Sequence, residues 1–202
     1  MHISEGILSA PVLIGGALIT LAGAGIGFKK IDADQLPKAG VLSASFFVAS
    51  LIHVPVGAAS IHLTLNGLIG ILLGWGAIPV ILVALLLQAV LFQFGGITTL
   101  GVNTIIMAFP AVFLYLILKQ SLITQNRRKQ SIIAFIFGFM AALLSTLLMI
   151  LALYFTSNAF NEISSILFAI NIPILFIEGI ITAFCITFIS KVKPDLLLNH
   201  KN

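Results

Sequence analysis

Three nitrogen atoms stand together at the start of the chain, which reads MHISEGIL. A free amine on Met1, the peptide nitrogen of His2 and the near ring nitrogen of His2 can bind one metal ion, because together they close a five-membered and a six-membered chelate ring. A fourth nitrogen would complete a square, and four nitrogens in a plane suit Ni(II), Cu(II) or low-spin Co(II). Structural zinc prefers tetrahedral sites that often contain thiolates, so zinc is disfavoured. The site requires that Met1 is the true terminus and carries no acyl group.

Two further histidines, His53 and His62, flank the segment HVPVGAAS and are candidates for the fourth nitrogen. His62 is the better donor and His53 the alternative; the competing interpretation is that each is an interfacial histidine without a ligand role. Asn66 follows His62 by four residues, so it would share a helical face with His62 and orient the ring if a helix begins there. Otherwise Asn66 makes a hydrogen bond that packs helices.

Glu178 and Asn103 are the other polar candidates. Glu178, in PILFIEGIITAF, is an acidic residue deep inside an apolar run, where an ionisable group is costly enough to suggest function. It can be protonated, pair with a basic residue of a partner, line the path of the ion, or only tie helices together. Asn103 follows FGGITTLG, where glycines allow a tight outer loop that would cover a metal. A helix start capped by Asn103 is the other possibility.

The composition tells which elements must position these residues. Of 202 residues, 60% are hydrophobic and only 8% are charged, against about 25% charged in soluble domains. No Asp, Glu, Lys or Arg occurs from Ala39 to Leu118, a stretch that requires lipid around it. We therefore predict one polytopic membrane domain, residues 1–202, of all-α class. The lone Cys185 has no partner for a disulfide and is read as a small core residue.

Apolar runs of suitable length predict about seven transmembrane helices. The second, third and fifth are weaker, since they contain Pro37 and Lys38, Asn66 with three glycines, and Pro110 respectively. Short or broken helices must be covered by protein, which makes their ends places to look for a site. The first run lacks a basic segment before it, so we expect it to be retained rather than cleaved. The predicted spans are Pro11 to Phe28, Leu36 to Ile52, Ile61 to Trp75, Ala77 to Phe94, Thr104 to Leu118, Ser131 to Phe155 and Ile172 to Ser190.

The basic residues predict the orientation of the chain. With seven spans, all ten of them fall on the side opposite the amino terminus, and basic residues collect in cytoplasmic loops. The amino terminus is therefore predicted outside and the carboxyl terminus inside, with His2, His53 and His62 towards the outer face and His200 in the cytoplasm. The net charge of +4 reflects this topology, and its spread does not suggest a nucleic-acid partner.

Three segments, MHISEGIL, VPVGAASIHLTLNGLIGILLGW and GGITTLGVNTIIMAFPAV, together with a later EGIIT, resemble the CbiM/NikM family. These are the cobalt and nickel substrate-binding components of energy-coupling-factor ABC transporters. The resemblance implies an extra first helix, here 11–28, that carries the amino terminus into the bundle. It also implies that Met1, His2 and His62 bind Co(II) or Ni(II) as the transported substrate, with no cofactor. The loop before His62 is shorter than in many members, and LTLNG looks closer to the cobalt members.

The same resemblance implies partners in a prokaryotic cell membrane: a transmembrane coupling protein, two ATP-binding subunits and commonly a small accessory membrane subunit. The chain itself has no GxxxxGK[ST] loop and no HExxH motif, so ATP hydrolysis or proteolysis by this chain is not expected. Two other classes stay open. One is a stand-alone secondary metal permease, coupled to protons through Glu178, and the other is an accessory structural subunit in which the histidines are incidental.

Overall fold

The computed structural model describes residues 2–57, 59–122, 126–157 and 161–198, and most of them are helical. Short 3-10 turns occupy Ala33–Gln35 and Gly74–Gly76. The helices, in chain order, are α1 (Ala10–Lys29), α2 (Leu36–Ala49), α3 (Asn66–Leu73), α4 (Ala77–Phe92), α5 (Leu100–Leu122), α6 (Arg127–Tyr154), α7 (Asn161–Val192) and α8 (Asp195–Leu198).

Five stretches of described helix are long and apolar enough to cross a membrane: Ala10–Lys29, Asn66–Phe92, Leu100–Leu122, Arg127–Tyr154 and Ser164–Val192. The predicted second and third spans correspond to α2 and α3, of 14 and 8 residues. At about 1.5 Å per residue, α3 is about 12 Å long, well short of the roughly 30 Å of hydrocarbon in a bilayer. Length and composition thus support five spans, and seven remains a prediction. Pro110 does not interrupt α5, which runs through it.

The short helix α3 lies inside the bundle, and all eight of its residues are buried. It packs closely on its neighbours because it carries glycines: a Cβ on Gly67 would lie 2.6 Å from the Cα of Gly138 in α6, and one on Gly70 would lie 2.8 Å from the carbonyl oxygen of Ala111 in α5. The chain turns after α3 at Gly74, where φ is 54°. The expectation that a short helix must be covered by protein is met here.

A small antiparallel sheet corrects the all-α prediction. It contains β1 (His2–Ile3), β2 (His53–Val56) and β3 (Ala59–His62), in the order β1-β3-β2. The segment HVPVGAAS, which we predicted only as a break between spans, forms most of a hairpin. The β-branched residues Val54 and Val56 of β2 and Ile61 of β3 favour strands, and Gly57, with φ of 57°, permits the tight turn.

The first helix connects this sheet to the bundle. One side of α1 packs on α5 and α4, where Cβ atoms on Gly16 and Gly23 would collide with Val102 and Ile78. Its other side exposes large apolar residues such as Ile14 and Leu18, as expected of a helix that faces lipid. Small residues thus let α1 approach closely enough to hold the amino-terminal strand over the end of the bundle.

Candidate metal centre

The sheet brings His2, His53 and His62 to one of its faces. In β3, His62 is the partner of His53 in β2, and Ser60 is the partner of His2 in β1. Residues two apart in a strand, and residues directly opposite each other, point to the same side of a sheet. His2, His53 and His62 therefore share a face although they come from three separate strands.

Two of these rings are in contact. The Nδ1 atom of His2 lies 2.9 Å from the Nε2 atom of His62, and the ring centroids are 4.4 Å apart. The two residues are only 3% and 2% exposed. The hydroxyl of Ser60 is 3.5 Å from the same Nδ1 atom. His2 and His62, both predicted as metal ligands, thus lie in direct contact through their ring nitrogens, and metal binding by them stays a prediction.

Hydrogen bonds on the far side of each ring set which nitrogen carries hydrogen. The Nε2 atom of His2 lies 2.8 Å from Oε1 of Gln88, and Nδ1 of His62 lies 2.7 Å from the carbonyl oxygen of Leu63. Amide and carbonyl oxygens only accept, so both of these ring nitrogens must donate. The neutral rings consequently direct lone pairs from His2 Nδ1 and His62 Nε2 towards the same region, which is how two ligands of one cation are arranged.

Burial keeps both rings neutral. Removal from water lowers the pKa of His2 from its ordinary value of 6.5 to about 3, and it lowers the pKa of His62 well below 6.5. A metal ligand needs the unprotonated ring. Both imidazoles are therefore ready to donate a lone pair at neutral pH.

The amino-terminal strand is held by the loop and helix after α4. Asn103, in the first turn of α5, accepts a hydrogen bond from the Ile3 amide at 2.9 Å and donates to the Ile3 carbonyl at 3.0 Å. Glu5 accepts from the Thr98 amide at 2.9 Å, and this bond is the main reason that the pKa of Glu5 is lowered. At Gly95, where φ is 74°, a Cβ would lie 3.4 Å from the His2 ring. The Asn103 side chain thus binds the backbone of β1 at Ile3, next to His2.

Glu178 is bound to the segment that follows His62. Its carboxylate, fully buried in α7, accepts hydrogen bonds from the amide and hydroxyl of Thr64 and from the amide of Leu65. The hydroxyl bond is 2.8 Å long and the Leu65 bond 3.0 Å. Leu65 has a φ of 50°, unusual outside glycine, and precedes the first residue of α3. Glu178 therefore connects α7 to the segment between β3, which carries His62, and the buried helix α3.

The other predicted residues are placed differently. The helix begins at Asn66 rather than before His62, so the two do not share a helical face. The Asn66 amide donates to the Met107 carbonyl at 2.9 Å and the Ser145 hydroxyl at 2.8 Å, which are contacts of helix packing.

His53 is half-buried and packs edge-on against Phe94, with ring centroids 4.3 Å apart. Its Nδ1 atom lies 3.1 Å from the Leu51 carbonyl oxygen. Met1 lies outside the described residues.

Gln88 is a neighbour of His2 that the hydropathy pattern does not predict. This residue is fully buried and contacts His2, yet it was read only as part of an apolar span. A signal was present, because Gln88 is polar in the otherwise apolar run AIPVILVALLLQAVLF of α4. The argument that singled out Glu178, that polar groups inside a span need a reason, applies equally to Gln88.

Comparisons with known proteins show the family to which the chain belongs. The profile of the CbiM family, described as a cobalt uptake substrate-specific transmembrane region, matches residues 2–196. A metal transport protein of Haemophilus influenzae is 36% identical over 100% of this chain and 99% of its own length. The fused nickel transport protein NikMN of Rhodobacter capsulatus is 36% identical over 54% of this chain and 33% of that protein.

A crystal structure of a transition metal transporter superimposes with a TM-score of 0.77 at 26% identity, covering 98% of this chain and 96% of the other. The likeness therefore extends from the sequence profile to the arrangement of the helices. The profile spans nearly the whole chain, and several helices are long and apolar enough to cross a bilayer. The chain belongs to the CbiM family and is a multi-pass membrane component of cobalt or nickel transport.

Proposed function

We propose that this chain captures Co(II) or Ni(II) outside the cell, in a single substrate-binding domain, through a chelate completed by its own amino terminus. The observation that carries the proposal is the 2.9 Å contact between Nδ1 of His2 and Nε2 of His62, with both lone pairs directed at one region. The ion is the transported substrate. Cobalt is the first metal to test, because the matching profile is described by cobalt uptake, and nickel is the second.

The distance between the rings favours a square over a tetrahedron. Two nitrogens that each lie about 2.0 to 2.1 Å from an ion are about 2.8 to 3.0 Å apart at a right angle and about 3.3 to 3.4 Å apart at the tetrahedral angle. The observed 2.9 Å fits neighbouring corners of a square. Planar four-nitrogen coordination suits Ni(II), Cu(II) or low-spin Co(II) rather than zinc.

The other two positions of the square require nitrogen donors from the backbone. Among residues 2–57, 59–122, 126–157 and 161–198, no group of three or more His, Cys, Asp or Glu side chains is arranged to hold a metal ion. The two-histidine pair therefore needs donors that are not side chains of those types. The amine of Met1 and the peptide nitrogen of His2 supply two, and they reach the ion through the chelate rings that include His2 Nδ1.

We further propose that uptake is driven by ATP in an energy-coupling-factor complex, with a transmembrane coupling protein, two ATP-binding subunits and a small accessory subunit. The absence of a nucleotide-binding loop from the sequence supports a need for separate ATP-binding subunits. A secondary permease would take up metal in vesicles without those subunits. Uptake that stops when only the ATP-binding subunits are omitted distinguishes the two mechanisms.

The terminal chelate is tested by inserting one glycine before Met1. The insertion turns the Met1 amine into an amide and moves the new amine one residue away, so the five-membered chelate ring with the His2 nitrogen is lost. We expect high-affinity Co(II) or Ni(II) binding to disappear, while membrane insertion and thermal unfolding of the metal-free protein stay nearly unchanged. Elemental analysis and equilibrium dialysis of both purified proteins measure the result.

The control is an insertion at the other end, one glycine after Asn202, which should leave binding intact. If the protein extended before Met1 binds metal as tightly as the native one, the amino-terminal chelate is wrong. Binding would then depend on the histidine side chains with other donors.

A further inference from the structure

A chain of hydrogen bonds runs from the His2 ring to the end of α2. The Nε2 atom of His2 donates to Oε1 of Gln88, and Nε2 of Gln88 donates to the Ser50 hydroxyl and to the Phe47 carbonyl, at 3.3 Å for the latter. The Ser50 hydroxyl in turn donates to the carbonyls of Phe46 at 2.8 Å and Phe47 at 3.0 Å. The side chains of Gln88 and Ser50 are fully buried.

The donors and acceptors in this series of hydrogen bonds can be assigned in only one way. The carbonyl oxygens at the end of α2 can only accept, which makes the Ser50 hydroxyl a donor to them and leaves its oxygen to accept from the Gln88 amide nitrogen. The same carbonyl of Phe47 also fixes which end of the Gln88 amide faces α2. The amide oxygen therefore faces His2, and His2 must place its hydrogen on Nε2.

We infer that Gln88 is a positioning residue that fixes the tautomer of His2, so that Nδ1 is the nitrogen offered to the metal. The inference rests on the proposed chelate and assigns to it a supporting residue that the ligand set does not include. Outer partners of this kind orient metal-binding histidines, and their loss usually weakens binding about 10- to 100-fold. Here the partner is the neutral side-chain amide of Gln88, and its orientation is set by the groups that it contacts at the carboxyl end of α2.

If Gln88 has a purely structural role, replacing it should lower stability and leave the tautomer of the His2 ring unchanged. If Gln88 positions His2, replacing it should change that tautomer. Without an acceptor at this place, the neutral imidazole can move its hydrogen to Nδ1 and donate to Ser60 or His62, whose polar atoms lie 3.5 and 2.9 Å away. That tautomer cannot close the chelate ring through Nδ1.

The experiment compares four proteins with the native amino terminus: wild type, Gln88→Met, Gln88→Glu and Leu85→Ala. Methionine matches the length of glutamine and removes the acceptor, whereas glutamate keeps an oxygen facing His2. Leu85 is buried one turn earlier in α4, so Leu85→Ala controls for a loss of packing alone. Ni(II) is the probe, with its dissociation constant from competition with a chelating dye and its planar ligand-field absorption band. Nitrogen NMR of the metal-free proteins reports the His2 tautomer without any metal.

We expect wild type and Gln88→Glu to show the Nε2–H tautomer and the planar band. Gln88→Met should show mixed tautomers, binding weakened about 10- to 100-fold, and an altered band. Leu85→Ala should lower the melting temperature and keep the wild-type band and tautomer. The inference is overturned if Gln88→Met keeps the Nε2–H tautomer and the wild-type affinity, or if folded Gln88→Glu loses the Nε2–H tautomer. If wild type has the Nε2–H tautomer but binds no Ni(II) or Co(II), the proposed chelate fails while the assignment of the tautomer stands.

Discussion

His53 and His62 are direct partners across β2 and β3, yet only the His62 ring contacts His2. The difference lies in which neighbours surround each ring. β3 is the central strand and His62 is buried, whereas β2 is an edge strand and His53 is half-buried against Phe94. A shared face therefore places both rings near the amino terminus, but only the buried ring on the central strand reaches His2.

Replacing His62 by Ala should weaken Co(II) or Ni(II) binding by orders of magnitude, because it removes one of the four planar donors. His53→Ala should cost about 10- to 100-fold at most, the range usual for a residue outside the ligand set. Equilibrium dialysis of the two variants, made with the native amino terminus, measures both. Equal losses at the two positions, or a larger loss at His53, would contradict the assignment of His62.

Among the elements, α3 is the one whose position matters most to the site, because His62 precedes it by only four residues. Three other helices hold its start. The Asn66 side chain donates to a backbone carbonyl of α5 and a hydroxyl of α6, and Glu178 of α7 accepts from the amides of Thr64 and Leu65 just before α3. A carboxylate at the amino-terminal end of a helix is also favoured by the helix dipole. Movement of α7 would thus be transmitted to the strand that carries His62.

The variant Glu178→Ala should weaken both metal binding and the fold. It leaves the buried Thr64 amide and the partly buried Leu65 amide without their acceptor, and a buried unsatisfied group such as the first costs about 1 to 3 kcal/mol. Glu178→Gln keeps one carbonyl oxygen for these amides, so it should retain most of the affinity. Thermal unfolding and metal titration of both variants provide the measurements.

Transport assays with Glu178→Gln then separate two roles. If Glu178 only positions the segment after His62, this variant should also transport metal. Loss of uptake with normal binding would instead favour the permease hypothesis, in which the carboxyl carries a proton.

The whole molecule has two distinct ends. The sheet, the Glu5 contact with Thr98 and the bond from the Ser9 amide to the Thr156 hydroxyl at 3.4 Å all lie at the end that carries the histidines. Basic residues at the end of α1 and in the first turn of α6 lie at the opposite ends of those helices. Because basic residues collect in cytoplasmic loops, we expect the histidine end to face outward.

Cysteine labelling tests that orientation. In a Cys185→Ala background, a cysteine at Ser157 should react with a membrane-impermeant maleimide on intact cells. A cysteine at Arg128 should react only after the membrane is opened, because this end of α6 is predicted to be cytoplasmic. External labelling at Arg128 would refute the predicted topology.

The sequence was sufficient to predict a helical membrane protein, the family resemblance and the pairing of His2 with His62. It was insufficient for the sheet, because HVPV and ASIH are short and lie between apolar runs, so a hydropathy pattern reads them only as a break. The roles of Gln88 and Asn103 also escaped prediction. Each depends on a contact with residue 2 or 3, and a separation of 86 or 100 residues along the chain leaves no local pattern.

The clamp of Asn103 on Ile3 has a consequence for synthesis of the protein. The amino-terminal strand is synthesised first, but the hydrogen bonds from Ile3 to Asn103 cannot form until a residue 100 positions later has been added. At about 5 to 20 residues per second, that delay is about 5 to 20 s. During this interval the Ile3 backbone has no Asn103 side chain to bind. We therefore expect the amino-terminal strand to dock late in folding, after α5 has been synthesised.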